Sequence, residues 1–179
     1  MDYLQNKVNH LKIIIFDLDF TLWPFYVEDY KTGLPFHTDI NGLHIARVDT
    51  SGRPLDGYYP EVPVILQTLS ALGYTLAVAS RTPWAEGAQQ LLKLYDWDKY
   101  FTYKQMYPGS KLAHFDKIRR QSGAKLSEML FFDDEIRNIK DLRGVGVHSV
   151  LVTDGIDKCV VMDAIKAFVA ERELLVQEN

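Results

Sequence analysis

Continuous apolar runs recur along the chain, and each stops at or near a polar residue. Four of these runs have the length of a β-strand, at residues 11–16, 74–79, 129–132 and 147–152. Apolar runs without polar alternation are typical of strands that are buried on both faces, as in parallel sheets. Residues 100–103 form a weaker candidate for a fifth strand.

Segments with helical spacing of apolar residues lie between these runs. They cover residues 61–72, 84–95, 110–121 and 157–175. Gly73 and Gly123 follow the first and third segments, where a glycine commonly ends a helix. Alternating strands and helices predict an α/β fold, a Rossmann-like doubly wound parallel sheet with helices on both faces.

Residues 25–57 interrupt this alternation after the first strand. Asn41-Gly42 and Ser51-Gly52 are typical hairpin turns, and residues 43–48 between them alternate in polarity. We expect a small antiparallel β insert of two or three strands, a minimal cap within a single domain that spans 1–179. Because the insert is too small to form a lid, we expect an open cleft with Phe25 and Tyr26 at its rim.

Composition adds limits to this picture. Of the 179 residues, 47% are hydrophobic and 25% are charged, as in ordinary soluble globular proteins. The formal net charge of -4 argues against non-specific binding to nucleic acid or to an anionic membrane. No apolar run approaches the ~20 residues that span a bilayer, and no targeting signal is visible. We expect a cytoplasmic protein, a monomer or weak homo-oligomer.

Cys159 is the one cysteine of the chain, so it has no internal disulfide partner. This fits a reducing compartment. We interpret Cys159 as a small hydrophobic residue on a helix that enters the core, rather than as a catalytic thiol.

Polar residues follow three of the predicted strands, and a lysine begins one predicted helix. In open α/β sheets, ligands bind beyond the carboxyl ends of the strands. Residues from distant parts of the chain are therefore expected to meet there: Asp17, Asp19, Ser80, Arg81, Asp133, Asp134 and Lys111.

The first pair of aspartates suits phosphoryl transfer. Asp17 is the first residue after its strand, and a carboxylate in that position can attack phosphorus to form an acyl phosphate. Asp19 points the same way by the period of two. Its carboxyl group can protonate the leaving oxygen and later accept a proton from the attacking water.

Four converging carboxylates require a cation. At about 4 Å and an effective dielectric of about 20, each like-charge pair costs roughly 4 kcal/mol. Oxygen ligands without a cluster of His or Cys indicate Mg²⁺. Asp133 ranks slightly ahead of Asp134 as a ligand, because it is the first residue after its strand.

The order of these motifs resembles the haloacid dehalogenase (HAD) superfamily. Residues 16–25 (FDLDFTLWPF), 79–82 (ASRT), 107–111 (YPGSK) and 131–138 (FFDDEIRN) are similar to the eukaryotic magnesium-dependent phosphatase family, over about residues 11–152. Phe20 stands where we expect tyrosine, and Tyr26 stands where relatives tend to carry tryptophan near the substrate.

The resemblance implies roles for the site residues. Asp17 and the main-chain carbonyl of Asp19 would bind Mg²⁺ together with one or both of Asp133 and Asp134. Ser80 would donate its hydroxyl to a phosphoryl oxygen, and Lys111 would neutralise the nucleophile and the transferring group. The substrate- and phosphate-binding residues are then Leu18, Asp19, Tyr26, Ser80, Arg81 and Lys111.

Each of these residues also has a plain structural interpretation. Ser80 could be a turn residue, Lys111 a solvated helix residue, and Asp133-Asp134 a helix cap. Asn138 either orients that pair or faces solvent.

We interpret three further residues as structural. Trp23 is expected to pack behind the first motif, Trp84 to anchor the start of a helix, and His114 to lie at a helix surface or in packing.

The resulting hypothesis is a magnesium-dependent phosphatase that acts through an aspartyl-phosphate. The alternatives are a HAD-type phosphotransferase and a non-catalytic module that binds phosphorylated ligands. The resemblance offers protein phosphotyrosine and phosphorylated sugars, including fructosamine phosphates, as substrates. The partner is thus a phosphorylated small molecule or a phosphopeptide.

Overall fold

Five parallel strands form the centre of the computed structural model, which describes residues 4–31, 36 and 57–177. The strands are β1 (Ile13–Phe16), β2 (Thr75–Ser80), β3 (Phe101–Met106), β4 (Met129–Asp133) and β5 (His148–Leu151). Their order across the sheet is β3-β2-β1-β4-β5. All five predicted strands are confirmed, and the weakest candidate, β3, continues three residues further than its apolar run.

The first strand lies in the middle of the sheet. β1 pairs with β2 on one side and with β4 on the other, so that Phe16 lies level with Val78 and Phe132. Every side chain of β1 is buried. The continuous apolar run of this strand is therefore explained by burial on both faces.

Five α-helices connect and cover the strands. They are α1 (Val62–Ala71), α2 (Ala85–Leu94), α3 (Lys111–Ser122), α4 (Ile136–Gly144) and α5 (Lys158–Gln177). Four were predicted, and α4 was not. At the start of α3 the Ser110 hydroxyl accepts the N–H of Leu112, and at its end Gly123 has a φ of 71°, as expected for these two caps.

Two separate cores pack against the two faces of the sheet. On one face, Ile14, Phe16 and Val78 contact the apolar sides of α1, α2 and α5. On the other face, Ile15 and Ala79 contact those of α3 and α4. The doubly wound arrangement is confirmed, and it leaves the carboxyl ends of the strands uncovered by these helices.

The predicted insert at 25–57 falls mostly outside the described residues. Val27–Tyr30, at its beginning, is a short 3-10 helix, and Phe36 is buried in the core. The hairpin turns and the alternating stretch at 43–48 lie in the part that the structure does not describe, so the antiparallel strands stay a prediction.

The last helix corrects one expectation. Cys159 is exposed, so its prediction as a buried residue is wrong. It is the second residue of α5, and the buried face of that helix begins with Val161 and Ile165 instead. In the described part of the chain, no helix is both long enough and apolar enough to cross a membrane.

Candidate active site

The carboxyl ends of the central strands surround a cavity of about 220 Å³. Most of the residues predicted for the site line it: Asp17, Asp19, Tyr26, Ser80, Arg81, Lys111 and Asp134. Two predicted residues, Leu18 and Asp133, lie beneath its surface with no exposed area. The residues that the sequence separates by more than a hundred positions are thus brought together.

A tight turn after β1 aims the first two aspartates. The carbonyl of Leu18 accepts N–H groups from Thr21 and Leu22, and the N–H of Phe20 donates to the carbonyl of Trp23 at 2.7 Å. Phe20 has a φ of 56°, in the left-handed region that few side chains adopt. This closed turn keeps Asp17 and Asp19 on the same side, as the period of two predicts.

Asp19 is held by two donors at one oxygen. Its Oδ1 accepts the indole N–H of Trp23 at 2.6 Å and the main-chain N–H of Val27 at 3.1 Å. Burial raises the pKa of Asp19 well above its usual range, and the charges of Asp17 and Glu28 raise it further. A raised pKa favours the protonated form of a carboxyl group, which is the form that a general acid needs.

Lys111 bridges two of the acidic residues. Its Nζ lies 2.8 Å from Asp17 Oδ1 and 2.5 Å from Asp133 Oδ2, and its side chain is 1% exposed. Burial alone would lower the pKa of Lys111, but Asp17 and Asp133 raise it above the usual value. The lysine is therefore charged, and the interpretation as a solvated helix residue does not hold.

Asp133 is surrounded by donors. Its Oδ2 accepts from Lys111 and from the side-chain amide of Asn138 at 3.0 Å, and its Oδ1 accepts the N–H of Glu135 at 2.7 Å. Asn138, one turn into α4, thus orients the first aspartate of the pair rather than facing solvent.

Three carboxylates form a group suited to a metal ion. Asp17, Asp133 and Asp134 each offer an oxygen, and these oxygens lie within 4.8 Å of one another. Burial, together with the charge of Asp17, raises the pKa of Asp133 to about 6 and that of Asp134 to about 7. A set of hard oxygen ligands that repel one another fits Mg²⁺.

Ser80 lies at the end of β2 with 1% of its surface exposed. Its hydroxyl oxygen accepts the N–H of Thr82 at 3.2 Å, and its carbonyl oxygen lies 3.0 Å from His114 Nε2. The hydroxyl is thus fixed in the wall of the cavity, where it can donate to a phosphoryl oxygen.

The rim carries charges of both signs. Arg81 lies 3.6 Å from Glu135, and Arg137 lies 3.0 Å from the same carboxylate. Tyr26 is 48% exposed and packs edge-on against Phe20. Phe25, which we expected beside Tyr26 at the rim, is buried in the core instead.

Leu18 can contribute to phosphate binding through one group. Its side chain is wholly buried in the core, and its carbonyl oxygen closes the turn after β1. A contact with phosphate would have to come from its main-chain N–H.

The positions of three residues in the site were not predicted from the sequence. Trp23 was interpreted as packing, yet its indole contacts Asp19; Glu28 and Arg137 also line the cavity. The sequence did hold an indication of the contact with Asp19. A buried indole N–H needs a hydrogen-bond acceptor, and Asp19 lies only four residues before Trp23. Trp84, expected to anchor a helix start, does precede the first residue of α2.

The chain is similar to known phosphatases. The model of the family described as Acid Phosphatase matches residues 9–171. Human magnesium-dependent phosphatase 1 is 41% identical over 157 residues, which cover 88% of this chain and 86% of the relative.

Solved structures support the same fold. A predicted phosphoglycolate phosphatase from Haemophilus somnus superposes with a TM-score of 0.61 at 20% identity, over 83% of this chain and 88% of that one. The 3-deoxy-D-manno-octulosonate 8-phosphate phosphatase of Moraxella catarrhalis, solved with magnesium and phosphate ions, gives 0.53 at 18% identity, over 86% of this chain and 74% of that one.

Proposed function

We propose that this chain, which belongs to the acid phosphatase family and is a magnesium-dependent phosphatase of the HAD superfamily, hydrolyses phosphomonoesters through an acyl phosphate on Asp17. The observation that carries this proposal is the pairing of two unlike aspartates. Asp17 is held by a charged lysine at 2.8 Å, whereas Asp19 is buried with a raised pKa. One suits a nucleophile and the other a proton donor.

In the first step, a carboxylate oxygen of Asp17 attacks phosphorus and the bond to the ester oxygen breaks. Asp19 donates its proton to the departing oxygen, which leaves as an alcohol. In the second step, Asp19 accepts a proton from water as that water attacks the phosphorus of the intermediate. The bond between the Asp17 oxygen and phosphorus breaks, phosphate leaves, and Asp17 is again a carboxylate while Asp19 is again protonated.

Lys111 and Ser80 hold the transferring group during both steps. Lys111 places a positive charge against Asp17, where negative charge gathers on the phosphoryl oxygens. Since the lysine is almost wholly buried, its charge is poorly screened by water. The Ser80 hydroxyl and the N–H of Leu18 add neutral donors.

Magnesium, when bound, would neutralise negative charge on the carboxylates and on the substrate phosphate. We propose Asp17, Asp134 and the main-chain carbonyl of Asp19 as its ligands. Both oxygens of Asp133 accept hydrogen bonds from the protein, whereas Asp134 lines the cavity. This reverses the ranking that the sequence suggested, and Asp133 then positions Lys111.

The two aspartates can be separated by experiment. We expect that Asp17→Asn forms no phosphoenzyme at any pH. Asp19→Asn keeps the nucleophile but loses a proton transfer worth roughly 10²–10⁴-fold. With p-nitrophenyl phosphate, whose leaving group needs little protonation, it should release a burst of nitrophenolate and accumulate phosphate on Asp17.

Rapid-quench mass spectrometry of both variants measures this. Phosphate found on the Asp17→Asn protein, or on a residue other than Asp17, would contradict the assignment. Activity that depends on an added alcohol acceptor would favour the phosphotransferase alternative. Binding of phosphorylated ligands without any turnover would favour the binding module.

We propose phosphotyrosine in proteins and phosphorylated sugars, including fructosamine phosphates, as the two candidate substrate classes. The rim favours a substrate whose phosphate is attached to a polar group. Acidic and basic side chains both border the cavity and could contact that group: Glu28, Glu135, Arg81 and Arg137. A panel of phosphotyrosine peptides, sugar phosphates and fructosamine phosphates in MgCl₂ compares kcat/KM directly. A preference for simple aryl phosphates over all three classes would sink this expectation.

A further inference from the structure

A second groove lies at the amino ends of the strands, on the opposite side of the sheet from the active site. One cavity of about 540 Å³ and another of about 610 Å³ share Ser127 and Gly146 in their walls. These two residues precede β4 and β5, so the groove runs past the amino ends of these strands. We call it the basal groove; its walls also include the ends of α3 and α4 and part of α5.

The basal groove is strongly basic, although the whole chain has a net charge of -4. A single carboxylate, Glu171, lines it among the described residues. Five cationic side chains line it: Arg119, Arg120, Lys125, Arg143 and Arg172.

The pairing of these cations leaves positive charge in excess. Arg119 and Arg120 both contact the same carboxylate, Asp116, at 2.8 Å. The guanidinium of Arg143 donates twice to the neutral carbonyl of Ser149, at 2.8 and 2.9 Å. The side chain of Arg120 is 73% exposed, so its charge faces outward.

Helix stabilisation accounts for part of this charge. Arg119, Arg120 and Arg143 lie in the last turns of α3 and α4, where a cation is favoured by the helix dipole. Lys125 lies in the connection after α3, and Arg172 lies within α5. Neither ends a helix, yet both line the same groove, so the dipole alone does not explain the cluster.

The groove also has apolar surface between its charges. Val145, beside Gly146, is 44% exposed, and Leu126 is only partly buried against the second core. Phe168 and Val147 are buried beneath. A ligand that fits would therefore carry apolar side chains between its acidic ones.

We propose that the basal groove binds an acidic peptide segment of a protein partner. A peptide is favoured over nucleic acid, because the exposed apolar residues and Glu171 do not suit a phosphate backbone, and the overall charge opposes one. The partner binds without entering the active site, since β4, five residues or about 16 Å long, separates the two.

A fluorescein-labelled peptide with alternating Glu and Leu residues tests this binding on the full chain. Fluorescence anisotropy should give saturable binding that weakens with salt, whereas the peptide with Gln in place of Glu should bind poorly. Arg120→Glu and Arg172→Glu should each weaken binding by about tenfold. Lys93→Glu, at the exposed end of α2, makes the same charge change and should leave the binding affinity unaltered.

Turnover of p-nitrophenyl phosphate with magnesium should be the same in all three variants. At constant ionic strength, saturating inorganic phosphate should not displace the peptide. The binding result can then be judged separately from the proposed phosphatase reaction. Absence of peptide binding, equal weakening by Lys93→Glu, or displacement by phosphate would overturn the proposal. So would tighter, groove-dependent binding of a single-stranded oligonucleotide of the same charge.

Discussion

At the scale of single residues, Trp23 controls the second aspartate of the active-site turn. Both hydrogen bonds that the structure gives to Asp19 fall on Oδ1, from the indole and from the N–H of Val27. An indole nitrogen can only donate, so it holds this oxygen without accepting the catalytic proton. Oδ2 is then the oxygen that can carry the proton to the leaving group.

We predict that Trp23→Phe keeps the packing against Phe25 but loses this orientation. The value of kcat for an alkyl phosphate should fall on the order of tenfold. With p-nitrophenyl phosphate, the rate of the first step should fall less, because nitrophenolate leaves without a proton. Single-turnover rates with both esters measure the difference.

Trp97→Phe is the matched control, since Trp97 is a buried indole that packs on Tyr58 and Tyr95 instead. Two results would show that Trp23 acts only in packing. One is an equal loss of rate with both esters in Trp23→Phe, and the other is the same difference between the esters in Trp97→Phe.

The sequence predicted the residues of the proposed reaction better than the residues that orient them. Asp17, Asp19, Lys111 and Ser80 follow strands or begin a helix, so their place at the sheet edge follows from the topology alone. The contact between Trp23 and Asp19 depends on the left-handed turn at Phe20, which no local pattern indicated.

The same limit applies to the metal pair. The sequence ranked Asp133 first by position, but which carboxylate faces the cavity depends on where Asn138 and Lys111 lie in three dimensions.

At the scale of elements, His114 ties three connections of the sheet together. Its Nε2 lies 3.0 Å from the carbonyl oxygen of Ser80, the last residue of β2, and 2.9 Å from that of Tyr107 after β3. Its Nδ1 lies 3.0 Å from the carbonyl oxygen of Ser110 before α3. The ring stacks on Tyr107 at 4.1 Å. Burial lowers the pKa of His114, whereas the carbonyl oxygens that face its two ring nitrogens raise it.

We predict that His114→Phe lowers the free energy of unfolding by about 1–3 kcal/mol, because buried carbonyls lose their donor. The value of kcat/KM should fall as well, since Ser80 and Lys111 are held by the connections that His114 joins. Urea denaturation and steady-state kinetics measure the two effects. His10→Phe, at an exposed position, should change neither; an unchanged stability for His114→Phe would contradict the role.

Elements were predicted where burial controls their composition. The three central strands, β1, β2 and β4, are almost wholly buried and apolar on both faces, so their sequence can be interpreted without the rest of the fold. Helix α4 was not predicted because its apolar pattern is too short. The helix has nine residues, and only two of its apolar side chains, Ile139 and Leu142, are buried. Its main contribution to the site is a polar residue, Asn138.

At the scale of the whole molecule, we expect magnesium to offset the repulsion among buried carboxylates. Burial raises the pKa of Asp134 to about 7 and that of Asp133 to about 6, with Asp17 opposing and Lys111 assisting ionisation of Asp133. Metal binding requires the ionised forms. Protons and magnesium therefore compete for the folded protein, and the metal binds more weakly as the pH falls below about 7.

We predict that MgCl₂ raises Tm by several degrees at pH 8, where a hundredfold excess over Kd is worth about 2.7 kcal/mol. The increment should shrink steadily towards pH 6. Differential scanning fluorimetry with and without the metal measures it. Asp134→Asn should lose most of the increment, whereas Asp163→Asn, on the exposed side of α5, should keep it. An increment independent of pH would contradict competition.

The central position of β1 has a consequence for synthesis on the ribosome. Ile13–Phe16 emerges early, but the strands that flank it begin at Thr75 and Met129. At 5–20 residues per second, the nascent chain exposes this apolar segment for on the order of 10 s before its second neighbour exists. During that interval it is the kind of sequence that aggregates or recruits a chaperone. The proposed nucleophile, Asp17, then still lacks Asp133 and Asn138, which complete the site.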